Sequence, residues 1–403
     1  MFDIKDYKDK CIYFIGIGGC SMSGLAMIMN NLGYNVKGSD AKTSQFTAAL
    51  ERNGIQPIIG QKEENIDGAD LVVYTAAIKP TNPEFARAKQ LGLPMLERSE
   101  MLGLISKRYG KTIGIAGCHG KTTITSMLAL LTQESHMDPT VHVGGMVDWM
   151  GSGVRLGKGD LFITEACEYV RSFMTLHPSY IVINNIDDDH LDYFKDIDDI
   201  TQTFIDFMQL LPEDGILFAN PDDVYAKKVI DACDKKVITY SINSNGDYNA
   251  ENVSYDEMGN PSYDVVLNGE NLGRIKLNVP GMHNVQNSLA AIAVCAQMGI
   301  PEKAMQEALS AVRVRGRCEA VPVYPEMTLL IDYAHNAMSL ESLLKTLRKS
   351  HPKRLICLFG CGGNRARNRR FQMGEVSGRL ADLTVITSDN PRDEEPQAIL
   401  DDI

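Results

Sequence analysis

Short apolar runs alternate along the chain with stretches of helical spacing, a pattern that predicts α/β units built on parallel sheets. The first unit has an apolar run at Cys11–Ile15, a glycine turn, and a helical pattern from about Met22 to Leu32. A second run near Asn35–Gly38 ends at Ser39-Asp40, and a third covers Leu71–Thr75. Pro80 and Pro83 then interrupt the chain, and Asn82-Pro83-Glu84 has the cap-then-proline order of a helix start. A new unit opens at Thr112 with a buried-strand pattern, followed by a helix over Thr122–Gln133. Strands are predicted near Leu161–Thr164, Tyr180–Asn184, Leu217 and Val237, and helices around Ile200–Leu211 and Asn284–Met298. The stretch Asn243–Asn271 is rich in Asn, Gly, Asp and Ser and predicts hairpins or loops. A third unit begins near Val314, with strand Leu329–Asp332, helix Leu340–Lys349, strand Arg354–Phe359, helix Met373–Leu380 and strand Leu383–Thr387. These breaks divide the chain into domains 1–106, 107–313 and 314–403.

At 403 residues the chain exceeds what one ordinary core organises, in agreement with several domains. Its 44% hydrophobic and 23% charged residues are the balance of a soluble globular protein. The 40 basic and 52 acidic residues, net −12, argue against a nucleic-acid or membrane-surface partner. A site for an anionic nucleotide must therefore be locally basic or lined by backbone amides. Nine cysteines form no C-x-x-C pair and point to reduced thiols rather than disulfides or zinc. The charged N-terminus has no apolar signal core, and no apolar run approaches the ~20 residues that span a bilayer. A cytoplasmic protein is expected.

Candidate chemistry concentrates in Gly114-Ile-Ala-Gly117-Cys118-His119-Gly120-Lys121-Thr122-Thr123. A glycine-rich turn between strand and helix points N–H groups at phosphate, at a helix N-terminus that favours anions. Lys121 supplies a cation for the β- and γ-phosphates, and the Thr122 hydroxyl reaches Mg²⁺. The loop is shorter than G-x-x-x-x-G-K-[ST], whose first glycine would fall at Ile115. Glu165-Ala-Cys-Glu168 and Asn184-Asn185-Ile-Asp187-Asp188-Asp189-His190 follow strands in the same way. A carboxylate and a neutral imidazole converging on phosphate suit Mg²⁺, with phosphate oxygens and water completing the shell. For Asp187–Asp189 alone, a solvated acidic loop is the simpler account. Together the motifs predict an ATP-using enzyme.

The first turn, Gly16-Ile-Gly18-Gly19-Cys-Ser-Met-Ser23-Gly24, departs from G-x-G-x-x-G because Ser21 stands where the third glycine belongs. With Asp40 after the second strand it fits NAD less well than another diphosphate ligand or a structural turn. Gly281-Met-His283-Asn284-Val-Gln-Asn287 opens a helix whose amides can read an adenine edge or serve as caps. Arg317 is a candidate clamp on a transferring phosphoryl group, and Asp332, in Asp332-Tyr333-Ala334-His335, a ribose ligand. Cys361-Gly362-Gly363-Asn364-Arg365, with Arg367, Arg369 and Arg370, forms a basic glycine-rich loop. In Asp389-Asn390-Pro391-Arg392 a stiff turn presents an arginine to a carboxylate or to a surface salt bridge.

In this order the motifs resemble those of the Mur ligase family, ATP-dependent amide-bond-forming enzymes of peptidoglycan precursor synthesis, over essentially the whole chain. Residues 1–310 are most similar to the members that add L-alanine to UDP-N-acetylmuramate. From about Val314, through Gly316-Arg317, Asp332–His335, Phe359–Gly363 and Asp389–Arg392, the chain resembles members that add a diamino acid to a UDP-muramoyl dipeptide. The resemblance implies an α/β, three-domain architecture: a Rossmann-like N-terminal domain, a central P-loop-type ATPase domain, and a Rossmann-like, incomplete C-terminal domain. It implies that Gly16, Gly18, Gly19, Ser23, Gly24, Ser39, Asp40, Thr75 and Ala76 hold the UDP substrate. Gly117, Cys118, His119, Gly120, Lys121, Thr122, Thr123, Asn284, Asn287, Arg317 and Asp332 would hold ATP. Thr122, Glu165 and His190 would ligate Mg²⁺, with Glu168 a weaker candidate, and Asp389, Asn390 and Arg392 would meet the amino acid. Lys121, His190, Arg317 and His335 are the expected catalytic residues.

Two departures bear on the step. Other members carry a modified lysine after the His-Leu-Asp-Tyr stretch; here that position is about Phe204, which agrees with the alanine-adding type. The third unit stops before the last strand–helix pairs, so the amino-acid site is expected to be incomplete. Alanine addition to UDP-N-acetylmuramate is the expected activity, with diamino-acid addition the alternative. An NAD-dependent oxidoreductase leaves Lys121, Glu165 and His190 without a role, and the short third unit keeps a non-catalytic UDP-sugar-binding module as a further alternative. Because the arginines and the phosphate loop lie in different units, closure of the third over the second is expected.

Overall fold

The computed structural model describes residues 3–147, 150, 152–188, 190, 193–243, 246–256, 259–312, 316, 318–324 and 327–403. In the first unit, β1 (Cys11–Ile15), β2 (Asn35–Asp40), β3 (Ile58–Ile59), β4 (Leu71–Tyr74) and β5 (Met95–Glu97) form a parallel sheet in the order β3-β2-β1-β4-β5. The crossovers carry α1 (Cys20–Asn31), α2 (Gln45–Arg52) and α3 (Pro83–Gln90), and α4 (Arg98–Ser106) follows β5. Strand β1 is buried along its whole length, as a strand covered on both faces must be. Asn82 caps α3 through its side chain with Pro83 in the first turn, as the sequence predicts. The strand order reverses at β1, so a crevice opens at the carboxyl ends of β1, β2 and β4.

The second unit begins with β6 (Lys111–Ala116), α5 (Lys121–Glu134), β7 (Thr140–Val147), β8 (Ser152–Arg155), β9 (Leu161–Glu165) and β10 (Tyr180–Ile183). It continues through α6 (Ile197–Met208), β11 (Ile216–Ala219), α7 (Val224–Ala232), β12 (Lys236–Ser241), β13 (Tyr248–Tyr255), β14 (Pro261–Leu267), β15 (Glu270–Lys276), α8 (Met282–Gln297) and α9 (Glu302–Ala311). One ten-stranded sheet results, in the order β15-β14-β13-β12-β11-β10-β6-β9-β7-β8. The polar stretch after Asn243 supplies the antiparallel hairpins β13-β14-β15 that extend the sheet. Strands β7 and β8 fall where the sequence pattern predicts no element; they carry Gly144, Gly145 and Gly153, which weaken strand propensity, and pairing of β7 with β9 and of β8 with β7 holds them in the sheet.

In the third unit β16 (Glu319–Tyr324) and β17 (Met327–Ile331) form an antiparallel hairpin apart from the parallel pair β18 (Ile356–Phe359) and β19 (Leu383–Ile386). Helices α10 (Ala337–Arg348), α11 (Asn368–Leu380) and α12 (Pro396–Asp402) share a small core with Cys357. Ile356 and Leu358, on the other face of β18, are 51% and 66% exposed, so this small sheet is covered on one side.

A single apolar cluster joins the first two units, taking in Ile12, Phe14, Leu25, Phe162, Phe204 and Phe207. Phe204 is fully buried and meets Phe173 edge-on at 5.5 Å, which suits core packing and not a polar ligand. The units also meet closely at Gly24 of α1, where a Cβ would stand 2.9 Å from Cδ2 of His142 on β7. His142 is 3% exposed; its Nε2 lies 3.1 Å from Ser21 Oγ and its Nδ1 3.3 Å from Thr164 Oγ1. Burial, helped by the charge of Arg98, pushes His142 down to about 4 from an ordinary 6.5. The folded protein therefore keeps His142 neutral while the unfolded chain takes up its proton below pH ~6.5. Stability from this seam is complete above that pH and falls between about 6.5 and 4, by roughly 3 kcal/mol at most. Urea unfolding at stepped pH should record the fall, and His142→Gln should remove most of it; equal pH slopes in the two proteins would refute the assignment.

Candidate active site

Strand β6 ends at Ala116 and α5 starts at Lys121, so the second glycine turn hangs between a central strand and a helix N-terminus. Neighbouring β9 puts Glu165 beside Ile115, and β10 puts Ile183 beside Ala116. That register brings Glu165 and Asn184-Asn185 to opposite sides of the turn. Asn185 Oδ1 accepts from His119 N at 2.8 Å, its Nδ2 donates to His119 O at 3.1 Å, and its carbonyl accepts from Cys118 N. Gly120 has φ +89°, and a Cβ there would lie 2.4 Å from Asn287 Oδ1 and 2.7 Å from Asn184 Nδ2. Only glycine meets both conditions. Asn184 Nδ2 donates to Asn287 Oδ1 (2.9 Å), Asn287 Nδ2 to Asn284 Oδ1 (3.0 Å), and Asn284 Nδ2 to Pro280 O (2.8 Å). Asn284 and Asn287 thus lie buried beside the turn and brace it from α8.

Lys121 reaches both oxygens of Glu168, at 3.1 and 3.0 Å, and also donates to Gly117 O. Burial alone would lower the Lys121 pKa; the neighbouring Glu168 charge outweighs it and holds the ammonium above the ordinary lysine value. His190 Nε2 stands 3.8 Å from Glu168 Oε1, and its ring packs against Tyr169 at 4.6 Å. His190 has φ +59°, a left-handed conformation uncommon outside glycine and asparagine and frequent at functional sites. Thr122 lies in the first turn of α5 half-buried, and Thr123 is buried.

Glu165 Oε2 accepts from Gly144 N at 2.9 Å, while its Oε1 is buried with no hydrogen-bond partner. An unpaired buried carboxylate oxygen next to a phosphate turn fits a divalent cation. Among the described residues no group of three or more His, Cys, Asp and Glu gathers tightly enough to hold a metal by itself. A cation on Thr122, Glu165 and His190 therefore needs phosphate oxygens and water to complete its shell.

At the first turn, Gly16 N and Ile17 N donate to Ser39 O, and Gly18 N donates to Asp40 Oδ2 at 2.9 Å. Thr75 Cγ2 and Ile78 Cδ1 approach Gly16 from the segment after β4, and Ala76 is exposed beside them. Gly16, Gly18, Gly19, Asp40 and Thr75 thus gather at the sheet's carboxyl edge. Three others are redirected into packing. Ser39 donates to buried Glu84 at 2.6 Å, Ser23 donates to Cys20 O, and Gly24 makes room for His142.

The third unit's candidates are held locally. Asp332, expected at a ribose, accepts from Cys318 N and Ala334 N at 2.8 Å with its two oxygens. His335 is exposed, with Nδ1 3.1 Å from Tyr333 O. Arg392 Nη1 donates to Gly363 O (2.7 Å) and Gly363 N to Asn390 O (2.8 Å), joining the Asp389–Arg392 turn to the glycine loop. The basic run is in part a structural clamp. Arg367 and Arg370 pair with Asp402 at 2.6 and 2.9 Å, and Arg370 also with Glu394 at 2.7 Å. Arg317 and Asp189 lie outside the described residues. His142 was not singled out from sequence, since a lone polar residue in an apolar strand gives no signal until its partners are known, and Asn184 entered only as the start of the motif that follows β10.

A dinucleotide-type domain sharing a core with a phosphate-turn domain, followed by a third α/β unit, defines a multidomain nucleotide-binding protein. Three family descriptions match in succession: "Mur ligase family, catalytic domain" over residues 11–110, "Mur ligase middle domain" over 115–295, and "Mur ligase, glutamate ligase domain" over 316–403. The UDP-N-acetylmuramate–L-alanine ligase of Alkaliphilus metalliredigens is 42% identical over 359 residues, 89% of this chain and 78% of its own. That of Acetivibrio thermocellus is 43% identical over 87% of this chain and 76% of its own. The crystal structure of UDP-N-acetylmuramate–alanine ligase from Thermotoga maritima superposes with a TM-score of 0.81 at 28% identity, covering 97% of this chain and 87% of that one. This chain belongs to the Mur ligase family. No described helix is long and apolar enough to cross a membrane.

Gly120→Ala is expected to weaken nucleotide binding by about tenfold or more, since left-handed backbone alone costs a non-glycine residue roughly 1–2 kcal/mol and the Cβ also displaces Asn287. Titration calorimetry with ATP measures this; unchanged affinity would show that the turn does not meet the nucleotide.

Proposed function

We propose that this protein is an ATP-dependent ligase that joins L-alanine to the carboxyl group of UDP-N-acetylmuramate, a cytoplasmic step of peptidoglycan precursor synthesis. The observation that carries this reading is the 42–43% identity, over nearly nine-tenths of the chain, to relatives of that name. The phosphate turn, with Lys121, Glu168 and His190 beside it, agrees with it. In this reading residues 1–106 hold the UDP substrate on the Gly16–Gly19 turn, 107–313 hold ATP, and 314–403 bring the amino acid through Asp389, Asn390 and Arg392.

The turn's N–H groups and Lys121 bind the triphosphate; Asn284 and Asn287, expected at adenine, brace the turn through their amides. The substrate carboxylate attacks the γ-phosphorus and ADP leaves, giving an acyl phosphate; the alanine amine then attacks the acyl carbon and inorganic phosphate departs. Thr122, Glu165 and His190 would hold Mg²⁺, which neutralises charge on the phosphate oxygens. Arg317 and His335 belong to the third unit and act once it closes over the second.

A phosphate-release assay with ATP and Mg²⁺ tests the proposal by crossing UDP-N-acetylmuramate and its dipeptide derivative with alanine, glycine, lysine and diaminopimelate. Turnover is expected with UDP-N-acetylmuramate and alanine. Turnover confined to the dipeptide and a diamino acid would reassign the step, and nucleotide binding without phosphate release would leave only a UDP-sugar-binding module. Lys121→Ala is expected to lower turnover by ~100-fold or more, the scale of losing one charge-stabilising donor, with the circular-dichroism spectrum retained.

A further inference from the structure

Lys121 is the cation a phosphate turn needs, and a carboxylate already holds it. Glu168 grips it through both oxygens and is 1% exposed. The grip is built into the backbone. Arg171 N donates to Glu168 O at 2.8 Å, and Val170 and Arg171 sit in left-handed conformations at φ +49° and +55°. Arg171 is tied to α6 through Asp199 at 2.9 Å, and Phe173 stacks on Phe207 at 4.2 Å. Beyond the matched pair, the turn is flanked by further acid: Glu165, with its unpaired Oε1, and Asp187, 3.6 Å from His119 Nε2. Arg98 points instead to Ser21 Oγ of the first turn, at 3.4 Å.

The charge around the turn is therefore negative before a polyanion arrives. A bare triphosphate must take Lys121 from Glu168 and then lie against carboxylates. A triphosphate that carries a divalent cation brings the charge these carboxylates attract. We propose that Glu168 is a specificity-determining residue and not a metal ligand: by engaging Lys121 it makes the turn admit metal-bound triphosphate and reject the bare form. This rests on the reading that the turn binds ATP, and it assigns the two glutamates of Glu165-Ala-Cys-Glu168 different tasks.

Calorimetric titration of ATP, in excess EDTA and in excess Mg²⁺, separates those tasks. The wild-type protein is expected to bind ATP at least about tenfold more tightly with Mg²⁺. Glu168→Gln should bind bare ATP about tenfold more tightly than wild type and leave the Mg²⁺ form little changed, narrowing the ratio. Glu165→Gln should weaken the Mg²⁺ form, which Glu168→Gln leaves little changed. Glu168→Asp, which keeps the charge and shortens its reach, should give an intermediate ratio and serves if the glutamine variant does not fold. A wild-type ratio in a folded Glu168 variant, or a loss of the Mg²⁺ form matching that of Glu165→Gln, overturns the inference. A wild-type protein that takes up no ATP with Mg²⁺ brings down the functional reading, and this inference with it.

Discussion

A glycine turn presents its N–H groups usefully only if the strand before it and the helix after it are both immobile. Here the immobility comes from the parallel register of β9, β6 and β10 and from amides that reach across them. Asn185 clasps His119 from β10, and the Asn184–Asn287–Asn284 chain fastens the same turn to α8. In a low-dielectric setting such a chain is stiff, because releasing any member strands its neighbour without a partner. The turn can then be short of the usual phosphate loop and still hold its shape, since its rigidity lies in its surroundings.

The second constraint is the seam between the first two units. Their shared apolar cluster, with His142 set between Ser21 and Thr164, makes one block of the first glycine turn and the strand that ends in Glu165. An acid bound at the first turn and a nucleotide bound at the second would keep a fixed separation, as an in-line transfer between them requires. The third unit keeps a core of its own around Leu340, Leu344, Met373 and Ile399. That division suits an arrangement in which the acceptor amine arrives on a separately folded piece.

Two glutamates three residues apart illustrate how environment assigns chemistry. Glu165 ends β9 with one oxygen on a backbone amide and the other unpaired, which leaves it available to a cation. Glu168 lies beyond the strand, where a left-handed turn delivers both oxygens to Lys121. Residue type alone would make them equivalent.

The sequence by itself determined the α/β class, the positions of the two glycine turns, and the acids and imidazole that follow later strands. Each of these is local: apolar periodicity marks a strand, glycine marks a turn, and a ligand-bearing residue after a strand falls at the sheet's carboxyl edge. Only the tertiary structure decided which side chains face the crevice. Ser39 and Ser23 turned inward to Glu84 and Cys20, Asp332 placed both oxygens on backbone amides, and Arg367 and Arg370 met Asp402. Strand β7 likewise emerged from pairing with β9, and β8 from pairing with β7, against their own glycine content. A buried polar atom must find a partner, and the partner comes from elsewhere in the chain; spacing along the sequence carries no record of it.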